Sequence, residues 1–252
     1  MPTSTTHPHP SGRTITFTEA DHVYRDCTGR QYLSVSGLLK RAWPKFDAQA
    51  VAARVAAREQ RSVESVLAGW DAKRDAACTY GTRVHETAEA CLRDEPPPHQ
   101  PASDKEQNAF QKAWKKATEL REHAMRINAQ VLVERALASI YYGIAGTADL
   151  ILVAPDRIEI YDWKTNAQLD KAYETLAPPL PLPASNQTKY ELQLATYEAI
   201  VRKDYYPPGQ CPTITRTLIW IDHQGNLTER ELPDRQLEAR SILLDHMAGA
   251  PF

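Results

Sequence analysis

The stretch from residue 146 to 166, GTADLILVAPDRIEIYDWKTN, constrains the chain more than any other. Two apolar, β-branched runs flank Ala154, Pro155 and Asp156, the pattern of two strands joined by a tight turn. A two-residue turn at Pro155 and Asp156 pairs Val153 with Ile158, Ile151 with Ile160 and Asp149 with Asp162. Directly opposed residues share a face with Cβ atoms ~5 Å apart. Alternation adds Lys164 to that face, while Glu159, Tyr161 and Trp163 point the other way. Two carboxylates and one amine are therefore expected at the end of a face otherwise made of Ile151, Val153, Ile158 and Ile160. Opposed like charges destabilise a sheet, and burial makes them worse. A divalent cation reverses that sign, and carboxylate oxygens suit Mg²⁺ or Mn²⁺. Lys164 then lies where it can hold or deprotonate a water while the metal polarises a phosphate. An ordinary Asp–Lys ion pair on a sheet edge competes for the same spacing.

The rest of the chain surrounds this hairpin. Residues 1–12 read as a disordered lead with no apolar core of a signal peptide. Residues 13–33 read as a β-hairpin turned at Cys27, Thr28, Gly29 and Arg30. Helical spacing then runs from about 34 to 93, with a break expected at Tyr80 and Gly81. Ser103 and Glu106 have capping-box spacing and open a helix whose apolar face is Phe110, Trp114, Ala117, Leu120 and Ala124. Its Lys112, Lys115 and Lys116 form either a solvated face or a wall of a phosphate-binding groove. Strands follow over 131–139, 148–153 and 157–163, then a proline-rich loop over 176–183 and a helix over 188–204. A strand over 215–222 and a helix over 234–247 complete an α/β arrangement with its sheet in the second half. Residues 13–252 are expected as a single domain. Its front half, 13–103, carries His85, and its sheet core, 104–252, carries Asp149, Asp162 and Lys164.

Composition narrows the function classes. The 252 residues include 30 Lys+Arg against 32 Asp+Glu, a net charge of −2. That excludes a surface basic all over and leaves room for a local basic channel. No apolar run approaches the roughly 18 residues of a membrane span. Cys27, Cys78, Cys91 and Cys211 form no CxxC pair, as in a cytoplasmic protein with reduced thiols.

Two helical features add candidates. His85 borders an apolar stripe of Val84, Ala88 and Leu92, and reads either as a satisfied core histidine or as a ligand. Its surroundings are not the HExxH zinc signature, because the second histidine is missing. Gln193 and Tyr197 lie one turn apart on a stripe with Tyr190, Leu194, Ile200 and Val201. A glutamine there satisfies buried backbone groups or positions a ligand.

Taken in order, the GxxxH ending at His85, the GTAD ending at Asp149, DWKT at 162–165 and QxxxY at 193–197 resemble the RecB-type nucleases of the PD-(D/E)XK superfamily. Phage exonucleases and the mitochondrial genome maintenance exonuclease are the relatives they are most similar to. The resemblance implies a mixed central sheet flanked by helices in α-β-β-β-α-β order, with a helical N-terminal half. It implies that His85, Asp149 and Asp162 ligate Mg²⁺ or Mn²⁺ together with the backbone carbonyl of Trp163. It makes Lys164 the catalytic lysine, Gln193 and Tyr197 supports of the site and the DNA strand, and Glu134 a candidate outer ligand. The implied reaction is hydrolysis of phosphodiesters from DNA ends in recombination, repair or phage DNA metabolism. An endonuclease of the same fold and an inactive DNA-binding scaffold are the alternatives. Implied partners are DNA, single-stranded or with free ends, and a recombinase or single-strand-binding protein, with the chain acting as monomer or homo-oligomer. Relatives stapled by an iron–sulfur cluster carry a tight cysteine group after the QxxxY helix. Only Cys211 follows it here, so no cluster is expected.

Overall fold

The computed structural model describes residues 4–176 and 180–249. Strands β1 (Ser4–Pro8), β2 (Thr14–Thr18), β3 (Val23–Asp26) and β4 (Gln31–Ser34) form an antiparallel meander. Asp26 pins its last turn. The carboxylate accepts the amides of Thr28 and Arg30, the hydroxyls of Thr28 and Tyr32, and the Arg13 guanidinium. Helices α1 (Val35–Ala42), α2 (Ala48–Glu59), α3 (Val63–Leu92) and α4 (Asp104–Arg126) follow. Next come β5 (Gln130–Ser139), β6 (Ile144–Val153) and β7 (Arg157–Lys164). Helix α5 (Asn186–Ile200) runs into a π-helical turn, Val201–Tyr205, before β8 (Thr213–Ile221), β9 (Leu227–Glu231) and α6 (Gln236–Met247).

The strands make one mixed sheet in the order β1-β2-β3-β4-β6-β7-β8-β9, with β5 paired to the other edge of β6. Helices α1, α5 and α6 bury one face around Leu38, Ile151, Ile160, Leu194 and Ile242. Helices α3 and α4 bury the other around Val84, Phe110, Leu150, Leu152 and Trp163. The derived register holds from Val153 and Ile158 to Ile151 and Ile160, but the expected Asp149–Asp162 pair does not form, because the ladder ends at Leu150 and Tyr161.

The decisive feature is a fork along β6. On the edge away from β5, β4 pairs in parallel at Ile144 and Ala145, whereas β7 pairs antiparallel from Leu150 to Val153. Among the described residues, 146–149 have no strand neighbour on that edge.

Three expectations need correction. The lead is not wholly disordered, because Ser4–Pro8 pairs with β2 and Arg135 Nη2 donates to the Pro8 carbonyl at 2.6 Å. Those main-chain partners offset the cost of ordering a short polar segment; residues 1–3 lie outside the described residues. No break occurs at Tyr80 and Gly81, since α3 is continuous across both. There Gly81 lets the helix approach β7 closely: a Cβ would sit 2.9 Å from Thr165 Oγ1. The front hairpin also holds one more strand than expected, with His22 (φ 50°) turning β2 into β3. Of the proline-rich loop, residues 177–179 lie outside the described residues.

The capping box forms in a shifted version. Ser103 Oγ accepts the Glu106 amide at 3.3 Å, but the Glu106 carboxylate reaches back to the Ala102 amide at 2.7 Å and also holds Arg83. Lys116, on the supposedly solvated side, bonds Glu229 at 2.7 Å and so ties α4 to β9.

Candidate active site

Asp149 sits at the end of the fork. The β6–β7 ladder stops at Leu150 and Tyr161, and Asp149 Oδ2 instead accepts the Trp163 amide at 2.7 Å. Helix α3 brings His85 over the same carboxylate, with Nδ1 3.4 Å from Oδ2. On β7, Asp162 is 1 % exposed and in ion-pair contact with Lys164. Neither Asp162 oxygen accepts a hydrogen bond of normal geometry. The structure therefore brings His85, Asp149, Asp162, Trp163 and Lys164 together.

Behind them, Tyr197 fills the fork. Its hydroxyl donates to the Thr147 carbonyl at 2.9 Å and accepts from Gln193 Nε2 at 2.9 Å. Gly146 makes room for the ring, since a Cβ there would lie 2.6 Å from Cε1 of Tyr197. Tyr197, held by Gln193, thus satisfies one β6 carbonyl that the missing strand leaves bare. From β4's side, Tyr24 Oη bonds Thr147 Oγ1 at 3.0 Å.

The electrostatics oppose ionised carboxylates here. Burial pushes Asp162 up to about 6; the Lys164 charge pulls it back and the Asp149 charge raises it again. Asp149 is raised as well, mainly by burial, against the charge of Lys164 and the Trp163 amide. Burial by itself would lower Lys164, but the carboxylates of Asp162 and Asp149 outweigh it and hold the ammonium above its usual value. Burial and then the Lys164 charge bring His85 down to about 4, which leaves a neutral imidazole.

Sequence reasoning passed over Glu89, one helical turn beyond His85. It neighbours Glu134, whose carboxyl is raised to about 9 by burial and by the charges of Asp149 and Glu89. Glu134 lies across β5–β6 from Asp149, between the paired residues Val133–Leu150 and Arg135–Ala148, with a left-handed backbone (φ 49°). Such a conformation costs on the order of 1–3 kcal/mol away from glycine. Gly81, Thr82, His85, Glu89, Glu134, Thr147 and Asp149, with Phe17 from β2, line a cavity of about 440 Å³.

The donor set suits a hard divalent cation. Buried oxygens without hydrogen bonds and several carboxyls raised by burial are conditions that a positive ion relieves. As found, the donors hold other partners: Asp162 is drawn to Lys164, and Asp149 to the Trp163 amide. Among the described residues, no three His, Cys, Asp or Glu side chains already converge around an ion position. The four cysteines are free thiols, Cys27 and Cys78 exposed, Cys91 buried and Cys211 half-buried.

The sequence profile of the PD-(D/E)XK nuclease superfamily matches residues 60–247, and the chain belongs to that superfamily. The match takes in α3, the β5–β7 sheet and α5, the elements that build this site. A solved Eubacterium rectale protein described as a putative exonuclease is similar at 13% identity and a TM-score of 0.36, over 68% of each chain. No curated protein sequence matches the chain. Among the described residues no helix is long and apolar enough to cross a membrane.

Proposed function

We propose that the chain is a divalent-metal-dependent exonuclease that hydrolyses phosphodiester bonds from DNA ends. The observation that carries the reading is Asp162, fully buried beside Asp149, with Oδ1 free of hydrogen bonds and Oδ2 in contact with the Lys164 ammonium. Two buried carboxylates set against one ammonium leave a charge cost that a bound divalent cation offsets.

Each residue then has a task. His85, Asp149, Asp162 and the Trp163 carbonyl would hold the ion; neutral imidazole is the form that can donate a lone pair. When bound, Mg²⁺ or Mn²⁺ supplies Lewis acidity toward a phosphate oxygen. Lys164 contributes an ammonium at neutral pH, so its immediate role is charge and hydrogen bonding to the phosphate or the attacking water. Proton abstraction by Lys164 needs a partner that offsets the two carboxylates. Tyr197 and Gln193 fix the fork so that Asp149 keeps its position relative to β7. Glu134 stands outside this set, beside Glu89.

Incubating linear and covalently closed DNA, single- and double-stranded, with Mg²⁺ and with EDTA tests the reading. Degradation of linear DNA alone, dependent on metal, is the expected result. Cleavage of closed circles would make the chain an endonuclease, and inertness toward all four would leave a DNA-binding scaffold. On the exonuclease reading the setting is recombination, repair or phage DNA metabolism in the cytoplasm, with a recombinase or single-strand-binding protein as partner.

A further inference from the structure

Two further lysines stand near Lys164. The Lys164 ammonium lies 4.8 Å from the centre of the Tyr190 ring, on α5. The preceding residue, Lys189, is half-buried in the first turns of that helix, one turn before Gln193 and two before Tyr197. Helix α1 packs against α5 and carries Lys40, which is exposed. Among the described residues neither Lys40 nor Lys189 has an ion pair, side-chain hydrogen bond or ring contact.

This arrangement is unfavourable as it stands. A partly buried ammonium without an anion loses hydration and gains nothing in return. A cation near a helix N-terminus also opposes the macrodipole, and the first turn of α5 contains no acid to compensate. Burial, then the charges of Lys164 and Lys40, all lower Lys189 from its usual value, so the three amines lie within each other's field. An external anion held between α1 and α5 removes every one of these costs.

We propose that Lys189 and Lys40 form a clamp, beside Lys164 and between α1 and α5, for a phosphate of the nucleic-acid strand next to the one being cut. The assignment rests on the nuclease reading for the identity of the anion. Lys189 shares its helix face with Gln193 and Tyr197, so a strand entering the fork passes it. Phosphate groups suit lysine as point charges and need no fixed fork geometry, which two flexible amines from different helices can satisfy.

The test separates binding from cutting. Fluorescence anisotropy of a labelled single-stranded oligonucleotide is measured in EDTA across a salt series, for the parent, Lys189→Ala, Lys40→Ala and Lys189→Arg. Lys189→Ala is expected to weaken binding on the order of tenfold and to reduce the slope of log K against log salt by ~0.7, as loss of one phosphate contact does. Lys40→Ala gives a separate, smaller loss, and Lys189→Arg stays near the parent. With Mg²⁺ the alanine variants raise KM and leave kcat within a few-fold. Thermal melts establish that each variant folds, and Lys40→Ala on the exposed helix face carries the test if Lys189→Ala does not. Parental affinity and salt slope in both folded alanine variants would overturn the clamp while leaving nuclease activity untouched. A parent that binds and responds to Lys189→Ala but cuts nothing would sustain the clamp and sink the nuclease reading. A parent that binds no oligonucleotide would overturn the clamp itself.

Discussion

Asp149 Oδ2 accepts the main-chain amide of Trp163 at 2.7 Å, so a carboxylate stands where the β6–β7 ladder would otherwise supply a carbonyl. One bond therefore ties the metal-binding candidate on β6 to the strand that carries Asp162 and Lys164. The position of the site is thereby coupled to the place where the sheet forks.

The first prediction concerns chemistry. Asp162→Ala and Lys164→Ala should each reduce Mg²⁺-dependent DNA degradation on the order of a hundredfold or more, the scale seen when a charge-stabilising group is removed. Circular dichroism should report a retained fold. A variant that digests DNA at the parental rate would sink the assigned roles.

The second concerns the ion. Mg²⁺ or Mn²⁺ at about 100 times its Kd adds about 2.7 kcal/mol to a protein that binds it only when folded. A calorimetric Tm should therefore rise by about 5 °C or more on adding the metal. EDTA should reverse the shift, and Asp149→Asn should abolish it. Equal shifts in parent and variant would place the ion elsewhere.

Gly146 offers a purely steric test. The Tyr197 ring occupies the space of a Cβ, with three ring-side atoms 2.6–3.2 Å away. Gly146→Ala should cost about 1–3 kcal/mol in urea unfolding, the usual penalty of overpacking. It should also lower activity, because Tyr197 must leave the Thr147 carbonyl. Combining it with Tyr197→Ala should recover part of the stability but not the activity.

Acid sensitivity should come from the front meander. Burial raises the Asp26 carboxyl, but the bonds from Thr28, Arg13 and Tyr32 outweigh it and hold it well below the ordinary value. Its contribution is then full above about pH 4, where an unfolded aspartate is ionised, and is lost as pH falls toward the folded value. Asp26→Asn should lower Tm at pH 7 and flatten the loss of Tm on acidification from pH 5 to 2. An unchanged acid limb in the variant would contradict this.

Much of the site was legible because alternation and turn length are local. The register of β6 and β7 followed from the turn at Pro155 and Asp156 together with the apolar run, and needed no partner from elsewhere. The change of face beyond Leu150 was not legible. Leu132, Leu137, Ala148 and Ile151 all pack toward the same face, so odd and even positions exchange roles on passing Glu134 and Asp149. A left-handed glutamate produces that change, and nothing in the sequence marks Glu134 as one. The proximity of Glu89 to Glu134 was hidden for the same reason, since it brings a helix to a distant strand.

By itself, then, the sequence determined the strands and helices that carry chemistry, and the order of His85, Asp149, Asp162, Lys164, Gln193 and Tyr197. The elements follow from periodicity and turn chemistry, which act over a few residues, and the grouping of the site residues from the resemblance of their ordered motifs. Only the tertiary structure decided that β4 and β7 would share one edge of β6, leaving residues 146–149 for Tyr197 and Asp149 to use. It also decided that Gly81 would be a contact and not a break, and that α1, which carries Lys40, would pack against α5, which carries Lys189. Packing between distant segments sets those outcomes, and no local pattern encodes it.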